Sequence, residues 1–136
     1  LRLLSGVASL LPSTTVLTGD ESLRKRPMGP LLDALTDLGA TARSRSTDGR
    51  PPVEIQGILR GGDTSIDGSV SSQFLSSLLI ACPLARDSCR IRVRPPLRSR
   101  PYVDLTLHLV RSFGGEILET DGTFRIPAGR TYRPVD

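Results

Sequence analysis

The chain has 136 residues, of which 38% are hydrophobic and 24% charged; this excludes wholesale disorder and suits one domain or a piece of a larger one. Its net charge is +4, and every basic residue except Lys25 is arginine. Guanidinium forks match phosphate and carboxylate geometry, although a compositional bias of the source genome accounts for them equally well. One histidine, His108, and two cysteines, Cys82 and Cys89, argue against a zinc site, a Cys-His dyad or a Ser-His triad, and no apolar run reaches transmembrane length.

In chain order, Arg2 to Leu11 reads as a short apolar helix and Thr15 to Thr18 as a strand. Arg26-Pro27 then opens a second helix, Met28 to Leu38, with Leu31, Leu35 and Leu38 at helical spacing and Gly39 as its stop. Pro27 is expected in the first turn, where a missing N–H costs nothing. Thr41 to Arg45 and Val53 to Gly57 are strand-like, with Asp48-Gly49 as a turn between them.

Gly61-Gly62-Asp63 is a turn with no following Lys-Ser or Lys-Thr, hence no phosphate-binding loop of that type. Strand Thr64 to Asp67 leads into a helix from Val70 to Cys82. Cys89 to Arg94 alternates strictly, with Arg90, Arg92 and Arg94 on one face and Cys89, Ile91 and Val93 on the other, as in a half-solvated strand. Arg100-Pro101 opens a last helix, Tyr102 to Phe113, stopped by Gly114; strand Glu116 to Thr120, turn Asp121-Gly122 and strand Phe124 to Ala128 complete the series.

The second half repeats the first. Arg26-Pro27 recurs as Arg100-Pro101 after 74 residues, and the helices, strands, glycine stops and Asp-Gly turns around them correspond. The order per copy is strand, helix, strand, helix, strand, strand, and only Thr64 to Asp67 supplies the opening strand. The expected division is 1–62 for a first unit lacking that strand and 63–136 for a complete second unit. Apolar helix faces and alternating strands place helices on one side of small sheets, an α+β layering. The start, Leu1-Arg2-Leu3-Leu4, has neither an initiator Met nor a signal-peptide layout and reads as a chain cut from something longer. Such a pair of units is expected to leave an apolar face uncovered and to self-associate.

Candidate chemistry lies at helix starts. Gly68-Ser69-Val70-Ser71-Ser72-Gln73 follows a strand and begins a helix, where free N–H groups, the helix dipole and serine hydroxyls can hold an anion. Plain N-capping by serine is the competing explanation. Arg26 and Arg100 stand at helix starts where a cation opposes the dipole unless an anion lies between; solvated arginines explain them as well. Ser99 either caps its helix or faces a ligand, and Tyr102 offers a ring face and a hydroxyl. Arg2, at the first helix start, carries the same ambiguity. His108 reads as a surface histidine, and Asp33, Asp37 and Asp104 show no pairing for acid/base work. Aromatics at 4% and the absence of an RNP-like or helix-turn-helix pattern speak against nucleic acid.

Three of these stretches, Thr18-Gly-Asp-Glu-Ser-Leu-Arg-Lys-Arg-Pro-Met-Gly29, Asp67-Gly-Ser-Val-Ser-Ser-Gln-Phe-Leu75 and Ser99-Arg-Pro-Tyr-Val-Asp104, resemble the 5-enolpyruvylshikimate-3-phosphate synthases (3-phosphoshikimate 1-carboxyvinyltransferases) in order and spacing. The related UDP-N-acetylglucosamine enolpyruvyl transferases lack the Ser-Ser-Gln signature. The resemblance covers essentially this whole chain and about a third of a family member, within its N-terminal domain. It implies an α/β prism of repeated βαβαββ units, one truncated and one complete here. It also implies a cytoplasmic enzyme of aromatic amino acid biosynthesis (the shikimate pathway) that uses no metal or organic cofactor. In that reaction the 5-hydroxyl of shikimate 3-phosphate attacks C2 of phosphoenolpyruvate and inorganic phosphate leaves.

Position by position, the resemblance implies that Ser71, Ser72, Gln73, Ser99 and Tyr102 bind shikimate 3-phosphate, with Ser71 and Ser99 at its phosphate. Arg26 and Gln73 would bind phosphoenolpyruvate. Arg2 matches an arginine near the phosphoenolpyruvate loop, its direct role left open. The family's Asn-Ala-Gly-Thr-like loop and Lys-Ser pair have no counterpart here, nor does the second domain with its acid/base Asp and Lys; Leu3 stands where many members have proline. The chain alone is therefore expected to be inactive. Its partners would be the two substrates and the second domain, with no nucleic acid and no membrane. The alternative is a stand-alone anion- or RNA-binding module of the same fold.

Overall fold

Strand alternation sets the layering. In a computed structural model describing residues 1–136, Cys89, Ile91 and Val93 are buried while Arg90, Arg92 and Arg94 are exposed, as strand periodicity requires. The elements in chain order are α1 (Arg2–Ala8), β1 (Thr15–Leu17), α2 (Glu21–Arg24), α3 (Gly29–Asp37), β2 (Thr41–Ser44), β3 (Val53–Gln56), β4 (Gly62–Asp67), α4 (Ser72–Ala81), β5 (Cys89–Arg94), α5 (Arg100–Ser112), β6 (Leu118–Thr120) and β7 (Thr123–Ile126). A single 3-10 turn, Cys82–Leu84, follows α4 where Pro83 cannot continue the helix. No helix is long and apolar enough to cross a membrane.

Two sheets form, one from each half of the chain. The first has the order β1-β3-β2 and is antiparallel throughout. The second has the order β4-β5-β7-β6, with β4 parallel to β5 and the remaining pairs antiparallel. Apart from β4 the two sheets share one pattern, β1 matching β5, β3 matching β7 and β2 matching β6. The first sheet has no counterpart of β4, so the outer edge of β1 is unpaired.

Helix α4 lies at the centre. Phe74, Leu75, Leu78, Leu79 and Ala81 are buried on several of its faces, which marks a helix enclosed by neighbours. Its serines take part in the packing. The Gly6 N–H of α1 donates to Ser77 Oγ at 2.9 Å, and the Ser76 and Thr106 hydroxyls bond at 2.8 Å to join α4 to α5. The Tyr132 hydroxyl donates to the Ile80 carbonyl at 2.6 Å, and burial pushes its pKa up to about 12.

Several boundaries differ from the sequence expectation. Pro27 lies outside α3, because the Met28 N–H is drawn to the Gly49 carbonyl; Pro30 takes the first-turn position instead. The first helix ends at Ala8 rather than Leu11, since the Ser9 and Leu11 carbonyls accept from Leu59 and Gly57. Helix α4 starts at Ser72 because Ser71 is its cap. The short α2 was not expected; Asp20 caps it by accepting from the Leu23 N–H at 2.9 Å. The glycine stops do hold, with Gly39 and Gly114 at φ +96° and +93°.

Gly6 lets α1 and α4 touch: a Cβ there would lie 2.5 Å from the Ser77 carbonyl oxygen. Gly6→Ala is expected to destabilise the chain by about 1–3 kcal/mol despite the better helix propensity of alanine. A denaturant titration showing equal or greater stability would contradict this packing.

Candidate functional site

Parallel pairing of β4 with β5 sends both chains out of the sheet on the same side. The segments that follow them, 68–71 and 95–99, therefore run side by side and start α4 and α5 next to each other. In open α/β layers this carboxyl edge of the strands is where ligands lie. The two segments are clamped together. Gly68 N–H donates to the Arg94 carbonyl at 2.9 Å, and Arg98 N–H donates to the Gly68 carbonyl at 3.0 Å. A side chain at Gly68 would meet the Pro96 carbonyl oxygen at 2.9 Å. Behind them, Asp67 accepts from the Ser69 N–H at 2.9 Å and the Ser69 hydroxyl at 2.6 Å, and these bonds hold its carboxyl below the usual range.

A cleft of about 630 Å³ opens over this edge, and Arg2, Arg26, Ser71, Ser72, Gln73, Ser99 and Tyr102 all line it. Ser71 caps α4, accepting from the Gln73 N–H at 3.1 Å, and also accepts from Arg2 Nη1 at 3.1 Å. Capping and site membership thus coincide in this residue. Ser99 does not cap α5: it sits in the left-handed region at φ 54° and makes no side-chain cap bond. Such a backbone is uncommon for serine and is carried where surrounding structure imposes it. The hydroxyls of Ser72, Ser99 and Tyr102 have no protein partner, and the Arg26 guanidinium pairs with no carboxylate.

The Arg2 guanidinium lies 4.7 Å from the Phe74 ring centroid, and its Nε is buried without a partner. Burial, and then the charge of Arg26, lower its pKa. Two arginines repel each other here with no ion-pair carboxylate on either, an arrangement that an anion relieves.

Arg100 does not join the cleft. It forms a bidentate pair with Glu119, at 2.6 Å for each bond, and a bond to Asp104 at 2.8 Å. Glu119 first, and then Asp104, raise its pKa. Arg100 therefore needs no anion at its helix start, because these carboxylates satisfy its charge. His108 is exposed, and Asp104 is engaged with Arg100. Arg98 and Thr106 also line the cleft and were missed. No sequence signal marks Arg98, which is one arginine among many in an irregular segment.

A family model described as EPSP synthase (3-phosphoshikimate 1-carboxyvinyltransferase) matches residues 1–133. A 3-phosphoshikimate 1-carboxyvinyltransferase of Methanothrix thermoacetophila is 53% identical over 133 residues, which are 98% of this chain and 31% of that protein. The enzyme of the same name from Methanothermobacter thermautotrophicus is 51% identical over 136 residues, all of this chain and 32% of that protein. A solved EPSP synthase from Acinetobacter baumannii superimposes with a TM-score of 0.82 at 29% identity, covering 98% of this chain and 29% of that one. The chain thus spans about a third of the length of these relatives.

The Asp67–Ser69 contact gives the site loop a pH dependence. With its pKa depressed by folding, Asp67 contributes fully above the ordinary carboxylate value of about 4, and the contribution is lost as pH falls through the lowered value. Measured against the intrinsic rate at each pH, hydrogen exchange at the Ser69 amide is expected to quicken on acidification before the amides of α4 lose protection. Asp67→Asn should show the faster exchange already at neutral pH. Constant protection of that amide down to global unfolding would contradict the assignment.

Proposed function

The chain belongs to the EPSP synthase (3-phosphoshikimate 1-carboxyvinyltransferase) family, and we propose that it forms one wall of that enzyme's active site. In the proposed reaction the 5-hydroxyl of shikimate 3-phosphate attacks C2 of phosphoenolpyruvate while C3 gains a proton. The tetrahedral intermediate then expels inorganic phosphate. One observation carries this reading: Arg26, Gln73 and Ser99, far apart in sequence, line one cleft together with Ser71, Ser72 and Tyr102. Hydroxyl and amide donors, helix N-termini and unpaired guanidiniums suit two anionic substrates.

In this reading Ser71 and Ser99 hold the phosphate of shikimate 3-phosphate, assisted by Ser72, and Tyr102 flanks its ring. Gln73 lies between the two substrates, and Arg26 pairs with phosphoenolpyruvate. The proton-transferring groups and further arginines come from a second domain facing this wall. Units 1–62 and 63–136 are successive βαβαββ-type repeats of the first domain, in keeping with one sheet in each half. The enzyme works in the cytoplasm, without nucleic acid, membrane or cofactor.

Electrostatic stabilisation needs donors on both sides of a water-excluded cleft. The 136-residue chain by itself is therefore expected to bind shikimate 3-phosphate weakly and to release no phosphate from the two substrates. Calorimetry should show that binding weakened about tenfold or more in a Ser71→Ala/Ser72→Ala variant, with circular dichroism confirming the fold. Steady phosphate release by the chain alone, or unchanged affinity in that variant, would overturn the respective assignment.

The chain also exposes apolar stripes. Leu105, Leu109 and Phe113 recur along one side of α5, and Leu3, Leu4 and Val7 along α1. Self-association through these stripes is expected at high concentration. Sedimentation should shift towards monomer in a Leu105→Glu/Leu109→Glu variant; a wild-type chain that stays monomeric throughout would refute the expectation.

A further inference from the structure

Arg2 holds more of the cleft together than any other side chain, yet its own donors are mostly turned inward. Nη1 donates to Ser71 Oγ at 3.1 Å and to Gln73 Oε1 at 3.3 Å, and Nη2 donates to the Pro27 carbonyl at 3.0 Å. Nε is buried against the protein, and the plane lies by the Phe74 ring. These contacts tie α1 to the start of α4 and to the segment that carries Arg26.

We propose that Arg2 is a positioning residue that sets the hydrogen-bond polarity of the site, compelling Ser71 and Gln73 to present donors to an anion. A serine hydroxyl can accept two hydrogen bonds and donate one. Ser71 Oγ already accepts two, from Arg2 Nη1 and from the Gln73 N–H, so only its O–H remains for a ligand. A glutamine amide can turn either its oxygen or its NH2 outward. Arg2, a pure donor, holds Oε1, and the NH2 of Gln73 makes no bond within the chain. With Oε1 instead turned outward, the amide would set an acceptor against an anionic ligand. Arginine is required because its planar fork reaches acceptors from three positions at once, which the point charge of lysine does not.

This inference rests on the substrate assignment above for its ligand, but not for its structural content. Two variants of the 136-residue chain, Arg2→Lys and Arg2→Met, test it, with side-chain amide NMR of Gln73 and calorimetry with shikimate 3-phosphate as readouts. In the unliganded wild-type chain the Gln73 NH2 resonances should be dispersed and ordered, and in both variants they should move towards those of a free glutamine. Unchanged resonances would overturn the proposal whether or not any ligand binds. Arg2→Lys should weaken shikimate 3-phosphate by about tenfold although the charge is kept. In a Gln73→Ala background the same change should have a clearly smaller effect, because Arg2 acts partly through Gln73. Full affinity in Arg2→Lys, or effects that simply add, would show direct charge contact and overturn the positioning role. A wild-type chain whose Gln73 amide responds as expected but which binds no shikimate 3-phosphate would defeat the substrate assignment and leave the role of Arg2 standing.

Discussion

The parallel pairing of β4 with β5 is the constraint on which the site depends. Every other strand pair in the chain is antiparallel. An antiparallel neighbour would have sent the second chain out of the opposite edge of the sheet, separating Ser71 from Ser99 by the length of a strand. Parallel pairing needs a crossover, and α4 with its 3-10 turn supplies it. The crossover then does double duty, since its N-terminus is a wall of the cleft and its body is the centre of the core. Gly68 completes the arrangement by letting the two following segments bond directly to each other.

Charge is distributed unevenly around this frame. Arg43 and Arg45 share Glu54, Arg90 has Asp63, and Arg100 has Glu119 and Asp104. These exposed pairs add little to stability, but they remove the arginines from competition for a ligand. In the cleft no carboxylate plays that part, and burial there weakens the screening that water would give Arg2. What sets the cleft apart is that Arg2 and Arg26 are held close enough to repel each other, one of them partly buried, with no carboxylate on either.

Core and site are made from the same helix, so their demands meet in its serines. Ser76 and Ser77 bond to neighbouring helices and let them approach, whereas Ser71 and Ser72, one to two turns earlier, line the cleft. Longer side chains at Ser77 or Gly6 would force α1 away from α4. Arg2 would then move with α1, and its bonds to Ser71 and Gln73 would be lost. Packing in the core is in this way a condition for the polarity of the site.

Most element types and the glycine stops were legible in the residues, because hydrophobic period, Asp-Gly turns and helix-ending glycines act through nearby atoms. The position of Ser71, Ser72 and Gln73 at a helix start was legible for the same reason: a strand, a turn and a serine-rich helix start follow one another directly. The place of Pro27 was not, since a hydrogen bond from Met28 to Gly49 decides it across a distance in sequence. Nor could any pattern separate Arg26 from Arg100, which stand at equivalent points of the two units. Glu119, brought alongside α5 by the pairing of β6 with β7, takes Arg100 away, while Arg26 stays unpaired in the cleft. Local chemistry along the chain determined which segments form and which could face an anion. Only the folded structure, through contacts between residues remote in sequence, decided which arginines remain free to do so.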